Sequence, residues 1–253
     1  MTGAAPTARF LMAEARRRFE AAGLADPATD ARVLICGILN MTSTALLLDG
    51  EKPVAADLAT RVEDAIVRRL AREPVYRILG RRDFYGLDLA LSEGTLEPRP
   101  DTEVLVDVIL PHLRSMVAEG FKPKIVDLGT GTGAIALALL QECPEAEALG
   151  IDISEDALNT AHENANRNGL GSRFWTRPGP WFDQTPERFD IIVSNPPYIR
   201  SDVVAGLEPE VTKFDPMAAL DGGTDGLDAY RDIAAQAGEH LEKHGLIGLE
   251  IGF

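Results

Sequence analysis

The stretch from Lys124 to Asp152 constrains the fold more than any other part of the sequence. It begins with the mainly apolar run Lys124–Leu128, passes through a glycine-rich turn into an apolar helical segment, and ends in a second apolar run, Ala148–Asp152. A strand, a helix and a strand in this order predict a parallel sheet covered by helices. Glycines let the turn's backbone approach a ligand closely, and its N–H groups lie at the positive end of the helix. Asp152 is placed to accept hydrogen bonds from a pair of ribose hydroxyls.

A second predicted strand carries a different motif. Phe189–Val193 is short and rich in β-branched residues, so it predicts a buried parallel strand whose carboxyl end opens into a crevice. The two prolines that follow stiffen the chain and leave its carbonyls without a local donor. The carbonyls, the Asn195 amide and the flat Tyr198 ring suit a planar amide or amine, held with its nitrogen facing an electrophile. The predicted site for this NH₂ group consists of Asn195, Pro196, Pro197 and Tyr198.

Two kinds of ligand fit the glycine-rich turn. Gly129, Gly131 and Ala134 satisfy the fingerprint of dinucleotide-binding enzymes, which favours an NAD-dependent oxidoreductase. That class needs a second mononucleotide-binding half and a hydride-transfer site, and the sequence shows neither. S-adenosylmethionine, with one ribose and a transferable group, fits both motifs. Trp181 is placed to stack on its adenine, although a lone aromatic residue is more often part of a core.

The part of the chain before these motifs predicts two further regions. Amphipathic segments at Ala8–Ala22, from Asp26-Pro27 onward and at Pro53–Ala71 predict a small helical domain, with Asp26 as a helix cap. Between Pro74 and Pro100 the alternation of Phe84–Leu91 and three glycines predict a β-rich connector.

The residues around the junction with the next helix have two local interpretations. Asp101 or Thr102 is expected to cap that helix, and Arg99 and Glu103 are placed to form a local ion pair.

The part after Tyr198 predicts a cover for the site. Ile199–Thr224 is polar and aperiodic and lies next to the predicted crevice, so it is a candidate substrate-covering segment. A helix over Leu227–Lys243 and a strand over Leu246–Ile251 follow. The strand is apolar on both faces and is expected to have neighbours on both sides.

Composition and charge limit the partners. The chain has 253 residues, 25 Lys plus Arg and 40 Asp plus Glu, and a net charge of −15, so it should be repelled by phosphate backbones. The one basic stretch, which is also explained as a solvated helix face, is Arg68, Arg69, Arg72, Arg77, Arg81 and Arg82. Two cysteines and four histidines show no metal or redox spacing. No leader pattern and no apolar run of about 18 residues is present, so we expect a cytoplasmic protein without a membrane partner.

The motifs together resemble a known family, the HemK-type protein-(glutamine-N5) methyltransferases, which modify the Gly-Gly-Gln motif of class I peptide chain release factors. The resemblance covers most of the chain from Glu73 to Gly252. The stretches that carry it, in this order after a helical domain, are Glu73–Val75, Ile78–Gly80, Phe84–Gly86, Pro98–Glu103, Asp127–Leu139, Asn195–Tyr198, Asp221–Gly223, Asp225–Leu227 and Leu249–Gly252.

The resemblance implies a fold and domains. The expected fold is α/β, a Rossmann-like class I S-adenosylmethionine-dependent methyltransferase sheet. Residues 1–73 would form a helical substrate-docking domain, 74–100 a β-hairpin connector and 101–253 the methyltransferase domain. Family members continue past Leu249–Gly252 with residues that look like a final antiparallel strand pair, so the sheet is expected to lack those strands.

The resemblance also implies roles for the site residues. Asn195, Pro196, Pro197 and Tyr198 would hold the substrate glutamine, Asp152 the ribose and Trp181 the adenine, with Asn195 also near the cofactor. The methionine end of S-adenosylmethionine would lie against Gly129, Thr130, Gly131, Thr132 and Gly133.

We expect an in-line displacement in which positioning, rather than a strong base, activates the amide nitrogen. Three alternatives stay open. These are methylation of an exocyclic amine on a nucleic-acid base, methylation of a ribosomal-protein glutamine, and an inactive protein that binds S-adenosylmethionine. The net charge argues against the first, because a flipped base needs a positive groove.

Overall fold

A computed structural model describes residues 5–252 of the chain. The chain divides between Gly80 and Arg81 into two compact units, each with its own core.

The first unit is helical, as predicted. Its core is formed by fully buried residues such as Phe19, Leu34 and Ile66. The Asp26 carboxylate accepts a hydrogen bond of 3.2 Å from the Thr29 amide, which confirms the predicted cap. The helices are α1 (Ala8–Ala21), α2 (Pro27–Leu39), α3 (Ser43–Asp49), α4 (Ala56–Leu70) and α5 (Val75–Leu79).

No single helix between residues 5 and 252 combines the length and the apolar composition needed to cross a membrane. Taken together, α2 and α3 have the length and the apolar composition of a membrane-spanning segment, but the two helices meet at an angle of 83°.

The second unit opens with a hairpin. Strands β1 (Arg81–Phe84) and β2 (Leu87–Ala90) pair antiparallel. The φ angles of Tyr85 (49°) and Gly86 (79°) are both positive, as a two-residue type I′ turn requires. The alternating run Phe84–Leu91 is therefore not one strand, because the turn interrupts it. The segment before the hairpin, where a β-rich connector was expected from Pro74, begins with helix α5.

The core of the second unit is a five-stranded parallel sheet in the order β5-β4-β3-β6-β7, which confirms the predicted α/β class. Side chains alternate between the two faces of the sheet. Ile125 belongs to the apolar core on one face, and Val126 belongs to the core on the other face. The strands are β3 (Lys124–Leu128), β4 (Glu147–Asp152), β5 (Phe174–Pro178), β6 (Phe189–Ser194) and β7 (Leu241–Leu249). The helices are α6 (Thr102–Ala118), α7 (Ala134–Glu142), α8 (Glu155–Arg167), α9 (Ser201–Val204), α10 (Pro209–Phe214) and α11 (Asp228–His240).

The last helix and strand differ from their predicted bounds. The helix expected to reach Lys243 ends at His240, because Leu241 pairs with Phe189 at the start of β6. The Arg188 guanidinium donates to the Leu241 carbonyl at 2.8 Å and fixes the same residue. Within residues 5–252, β7 is paired on one side only, although its sequence predicted two neighbours.

Asn164 on α8 joins the hairpin to the glycine-rich turn. It is fully buried, and its oxygen accepts from the Ala90 amide at 2.7 Å. Its NH₂ group donates to the carbonyls of Ala90 at 3.1 Å and Thr132 at 2.9 Å. One side chain thus satisfies three backbone groups, the Thr132 carbonyl buried and the two Ala90 groups partly buried, and this fixes the turn.

We predict that Asn164→Ala lowers the free energy of unfolding by about 3 kcal/mol, because it leaves the Thr132 carbonyl buried, and the two Ala90 groups partly buried, without partners. Chemical denaturation measures the change. The matched control is Asn166→Ala, an exposed position on the same helix, which should change stability by less than about 0.5 kcal/mol. Equal stability of the two variants would contradict this role.

Candidate active site

The sheet topology brings the two predicted motifs together. Strands β3 and β6 are neighbours, and Leu128 lies opposite Ser194. Each strand leaves the sheet after that pair, β3 into the glycine-rich turn and β6 into Asn195–Tyr198. The strand order reverses at this point, which is where open α/β sheets bind ligands.

A cavity of about 500 Å³ lies at this edge of the sheet. Most of the predicted site residues line it, namely Gly129, Thr130, Gly131, Thr132, Asp152, Trp181, Asn195 and Pro197. Gly133, Pro196 and Tyr198 do not. A Cβ on Gly133 would contact Leu137 and Ala161, so this glycine permits close packing of the turn.

The N–H groups of the glycine-rich turn are mostly used within the protein. The amides of Gly129 and Thr130 both donate to the Ile151 carbonyl, at 2.8 and 2.9 Å. The Gly131 amide donates to the Asp152 carboxylate at 2.9 Å. What the turn offers is space, since Gly131 has a φ of 54° and a Cβ there would meet no atom within 4 Å. The turn can therefore accept a ligand against its backbone without binding it through these amides.

Asp152 keeps acceptor capacity toward the cavity. Its two oxygens accept one backbone hydrogen bond each, from Gly131 and from Ser154 at 2.9 Å. A carboxylate has about four acceptor positions, so Asp152 can still accept from a ligand. Burial raises the pKa of Asp152 above its usual value. The arrangement suits a pair of hydroxyl donors.

Asp127 lies beneath the turn and is almost fully buried. Its Oδ2 atom accepts from the Thr130 hydroxyl at 2.8 Å and the Ala136 amide at 3.3 Å, which ties the turn to the start of α7. Its Oδ1 atom is buried without a partner among residues 5–252. Burial, reinforced by the nearby Asp152 charge, raises the pKa of Asp127 to about 7.

The Asn195 amide meets the start of α6. Its Nδ2 atom lies 3.3 Å from the Thr102 hydroxyl oxygen and donates to it. Of the two residues predicted to cap α6, Asp101 occupies the N-cap position but its side chain makes no capping hydrogen bond, and Thr102 is the first helical residue. Pro196 is buried, and Tyr198 is half-buried with a pKa raised by that burial.

Trp181 lines the cavity where the chain turns after β5. A Cβ on Gly129 would lie 4.0 Å from the Trp181 ring, so the indole stands beside the glycine-rich turn. The ring also packs against the core on one side of the sheet.

The covering segment expected from the sequence contributes to the cavity. Asp215, whose side chain is 4% exposed, accepts from Arg99 at 2.7 Å. The residues that follow it, Pro216, Ala218 and Ala219, line the cavity. Among residues 5–252, Arg99 and Glu103 do not form the expected ion pair. The Glu103 carboxylate instead accepts from the Tyr85 amide at 2.9 Å.

Several lining residues were not predicted as site residues. The sequence signal for Arg99 and Thr102 was the Pro98–Glu103 stretch, which was interpreted as a local ion pair and a cap. Those not predicted include Leu96, Pro98, Arg99, Thr102, Ile153, Pro216, Ala218 and Ala219.

Comparisons with known proteins decide the family. Residues 11–80 match the model of the PrmC N-terminal domain, and residues 102–207 match that of the methyltransferase small domain. A release factor glutamine methyltransferase from Agrobacterium fabrum (strain C58) is 58% identical over 239 residues, which cover 94% of this chain and 83% of the relative. The chain belongs to the release factor glutamine methyltransferase family.

Two further members support the assignment. The Rhodospirillum rubrum protein is 48% identical over 93% of this chain and 71% of its own length. The Cereibacter sphaeroides protein is 44% identical over 93% of this chain and 82% of its own length. Membership confirms both the resemblance and the class I methyltransferase fold that it implied.

We predict that the buried Asp127 carboxyl makes this family member less stable as the pH rises. The folded protein holds the proton up to about pH 7, whereas the unfolded chain releases it near 3.8. Between these values the folded state binds more protons, so its stability falls with increasing pH, by about 4 kcal/mol in total.

Denaturation from pH 5 to pH 8 tests this prediction. Asp127→Asn should lose less stability over that range than the wild type. Asp232→Asn, at an exposed position on α11, is the control and should follow the wild type. Parallel curves for wild type and Asp127→Asn would show that Asp127 does not titrate in this range.

Proposed function

We propose that the protein transfers the methyl group of S-adenosylmethionine to a protein glutamine. The acceptor is the side-chain amide nitrogen of the glutamine in the Gly-Gly-Gln motif of class I release factors. The observation that carries the proposal is the meeting of the glycine-rich turn, Asp152 and Asn195 around one cavity, in a chain 58% identical to a release factor glutamine methyltransferase. Release factors are then the partner, the cytoplasm is the compartment, and the helical first unit is the docking domain.

The cavity fits the cofactor in size and in chemistry. Its volume of about 500 Å³ lies within the range of roughly 300–1,000 Å³ typical of small-molecule sites. The open space over Gly131 would take the methionine end, Asp152 would accept from the ribose hydroxyls, and Trp181 would lie along the adenine. Bound S-adenosylmethionine supplies an electrophilic methyl group on a positively charged sulfur.

Within the turn, individual residues would have different roles. Gly129, Gly131 and Thr132 line the cavity and would contact the cofactor directly. Thr130 lines it too, but its hydroxyl is bound to Asp127. Gly133 would act through packing alone.

The substrate side of the site would work by positioning. An amide nitrogen is a poor nucleophile because its lone pair is delocalised into the carbonyl. The Asn195 oxygen and the Pro196 carbonyl would accept the two N–H bonds and hold the nitrogen toward the methyl group, with Pro197 and Tyr198 beside it. The NH₂ group of Asn195 already faces Thr102, which leaves its oxygen for the substrate.

Label transfer from tritiated S-adenosylmethionine tests the proposed function. We expect label on a native class I release factor and none on the same factor with alanine in place of the Gly-Gly-Gln glutamine. A mixture of ribosomal proteins and a duplex DNA serve as alternative acceptors. Label on either of these, or equal label on both release factors, would contradict the proposal.

We predict that Asn195→Ala lowers the kcat of methyl transfer at least about 100-fold, the usual cost of losing one well-placed polar group at a reacting centre. Its affinity for S-adenosylmethionine, measured by calorimetry, should fall by about tenfold at most. Asn166→Ala, on the exposed face of α8, is the matched control and should keep the wild-type kcat. Full turnover by Asn195→Ala would show that its amide does not position the substrate.

A further inference from the structure

Glu250 directly follows the last strand, β7, and its backbone lies beside Ser194, the residue before Asn195. In the register between β6 and β7, Ser194 lies opposite Leu249. The Glu250 amide donates to the Ser194 carbonyl at 3.0 Å, and the Glu250 carbonyl accepts from the Tyr230 hydroxyl at 2.8 Å. Hydrogen bonds on both sides therefore fix the backbone of this residue beside the substrate-holding turn.

The Glu250 carboxylate faces the two side chains that meet at the start of α6. Hydrogen bonding from Thr102 and Asn195 acts to lower its pKa, and burial outweighs both and raises that pKa above its usual value. Its Oε2 atom is buried and has no hydrogen-bond partner among residues 5–252. Since Glu250 is not among the residues that line the cavity, its influence on a ligand would pass through its neighbours.

The chemistry of Glu250, Thr102 and Asn195 determines which of them donates a hydrogen bond and which accepts. An ionised carboxylate only accepts hydrogen bonds, a hydroxyl donates one and accepts others, and an amide does both at opposite ends. With the carboxylate in place, the Thr102 hydroxyl and the Asn195 NH₂ group both have an acceptor in Glu250. The Asn195 NH₂ group also donates to the Thr102 hydroxyl oxygen at 3.3 Å. The oxygen of Asn195 is then the end that remains for the cavity.

Without the negative charge of Glu250, the direction of these hydrogen bonds is no longer fixed. The Thr102 hydroxyl is free to donate to the Asn195 oxygen, and the amide can turn over. Its NH₂ group then faces the cavity, where a substrate NH₂ group needs an acceptor. The two orientations occupy nearly the same volume, so packing alone does not choose between them.

We propose that Glu250 is a positioning residue of the transfer site, whose carboxylate fixes the orientation of the Asn195 amide both directly and through Thr102. The role in turnover rests on the proposed function. The orientation of the amide does not, and can be measured in the protein alone.

The test compares Glu250→Gln, which keeps the shape and removes the charge, with Glu242→Gln. Glu242 is exposed on β7, the strand that Glu250 follows, and serves as the matched control. The first measurement is the side-chain NH₂ resonance of Asn195 in the ¹⁵N-labelled protein, assigned by its loss in Asn195→Ala. The second is kcat and KM for methyl transfer to a release factor. A calorimetric titration with S-adenosylmethionine gives the number of cofactor sites, and thus the concentration of folded protein.

We expect Glu250→Gln to shift or broaden the Asn195 resonance and to lower kcat at least about tenfold per folded molecule, with KM within about twofold. Glu242→Gln should match the wild type in both measurements. An unmoved Asn195 resonance, or an unchanged kcat, would overturn the proposal. So would a lower kcat that follows only from a smaller number of cofactor sites, since that indicates a structural role.

The same experiment separates this proposal from the proposed function. If the wild type methylates no release factor, the proposed function fails. The Asn195 resonance then decides the role of Glu250 without any turnover.

Discussion

The pairing of β3 with β6 is the constraint on which the site depends. Because both strands are parallel and Leu128 lies opposite Ser194, the two chains leave the sheet side by side. Strand β4, on the other side of β3, delivers Asp152 to the same edge. A slip of one residue in a parallel pair would turn each side chain to the other face. The apolar layers on both faces of the sheet hold the register, and so the core fixes the geometry of the site.

The hydrogen bonds of the glycine-rich turn distinguish between the two ligands that its sequence allows. A dinucleotide places its pyrophosphate on free N–H groups at the start of a helix. Here the amides of Gly129 and Thr130 are bound to the Ile151 carbonyl, and that of Gly131 to Asp152. Carboxylates at this helix start also oppose a phosphate. The turn therefore favours a ligand that needs contact and space, as the methionine end of S-adenosylmethionine does.

The sequence predicted the parts of the site that are local. The glycine-rich turn, Asp152 and Asn195 each lie next to a short apolar strand, and the pattern of a parallel sheet places such strand ends together. The sequence did not predict the contacts between site residues that are far apart along the chain. Arg99 pairs with Asp215, 116 residues away, and Thr102 meets Asn195 across 93 residues. Capping and a short-range ion pair were the nearest local explanations, and tertiary packing overrode them.

Three carboxyl groups around the cavity have a pKa raised mainly by burial, namely Asp127, Asp152 and Glu250. Each is costly to ionise, because burial removes the water that would stabilise the anion. A cationic ligand would lower that cost, whereas an anionic one would add to it. A ligand that binds only the folded state also stabilises it. These buried carboxyl groups are thus consistent with a cavity suited to a sulfonium cofactor. They also agree with a glycine-rich turn whose amides bind within the protein and not to an anion.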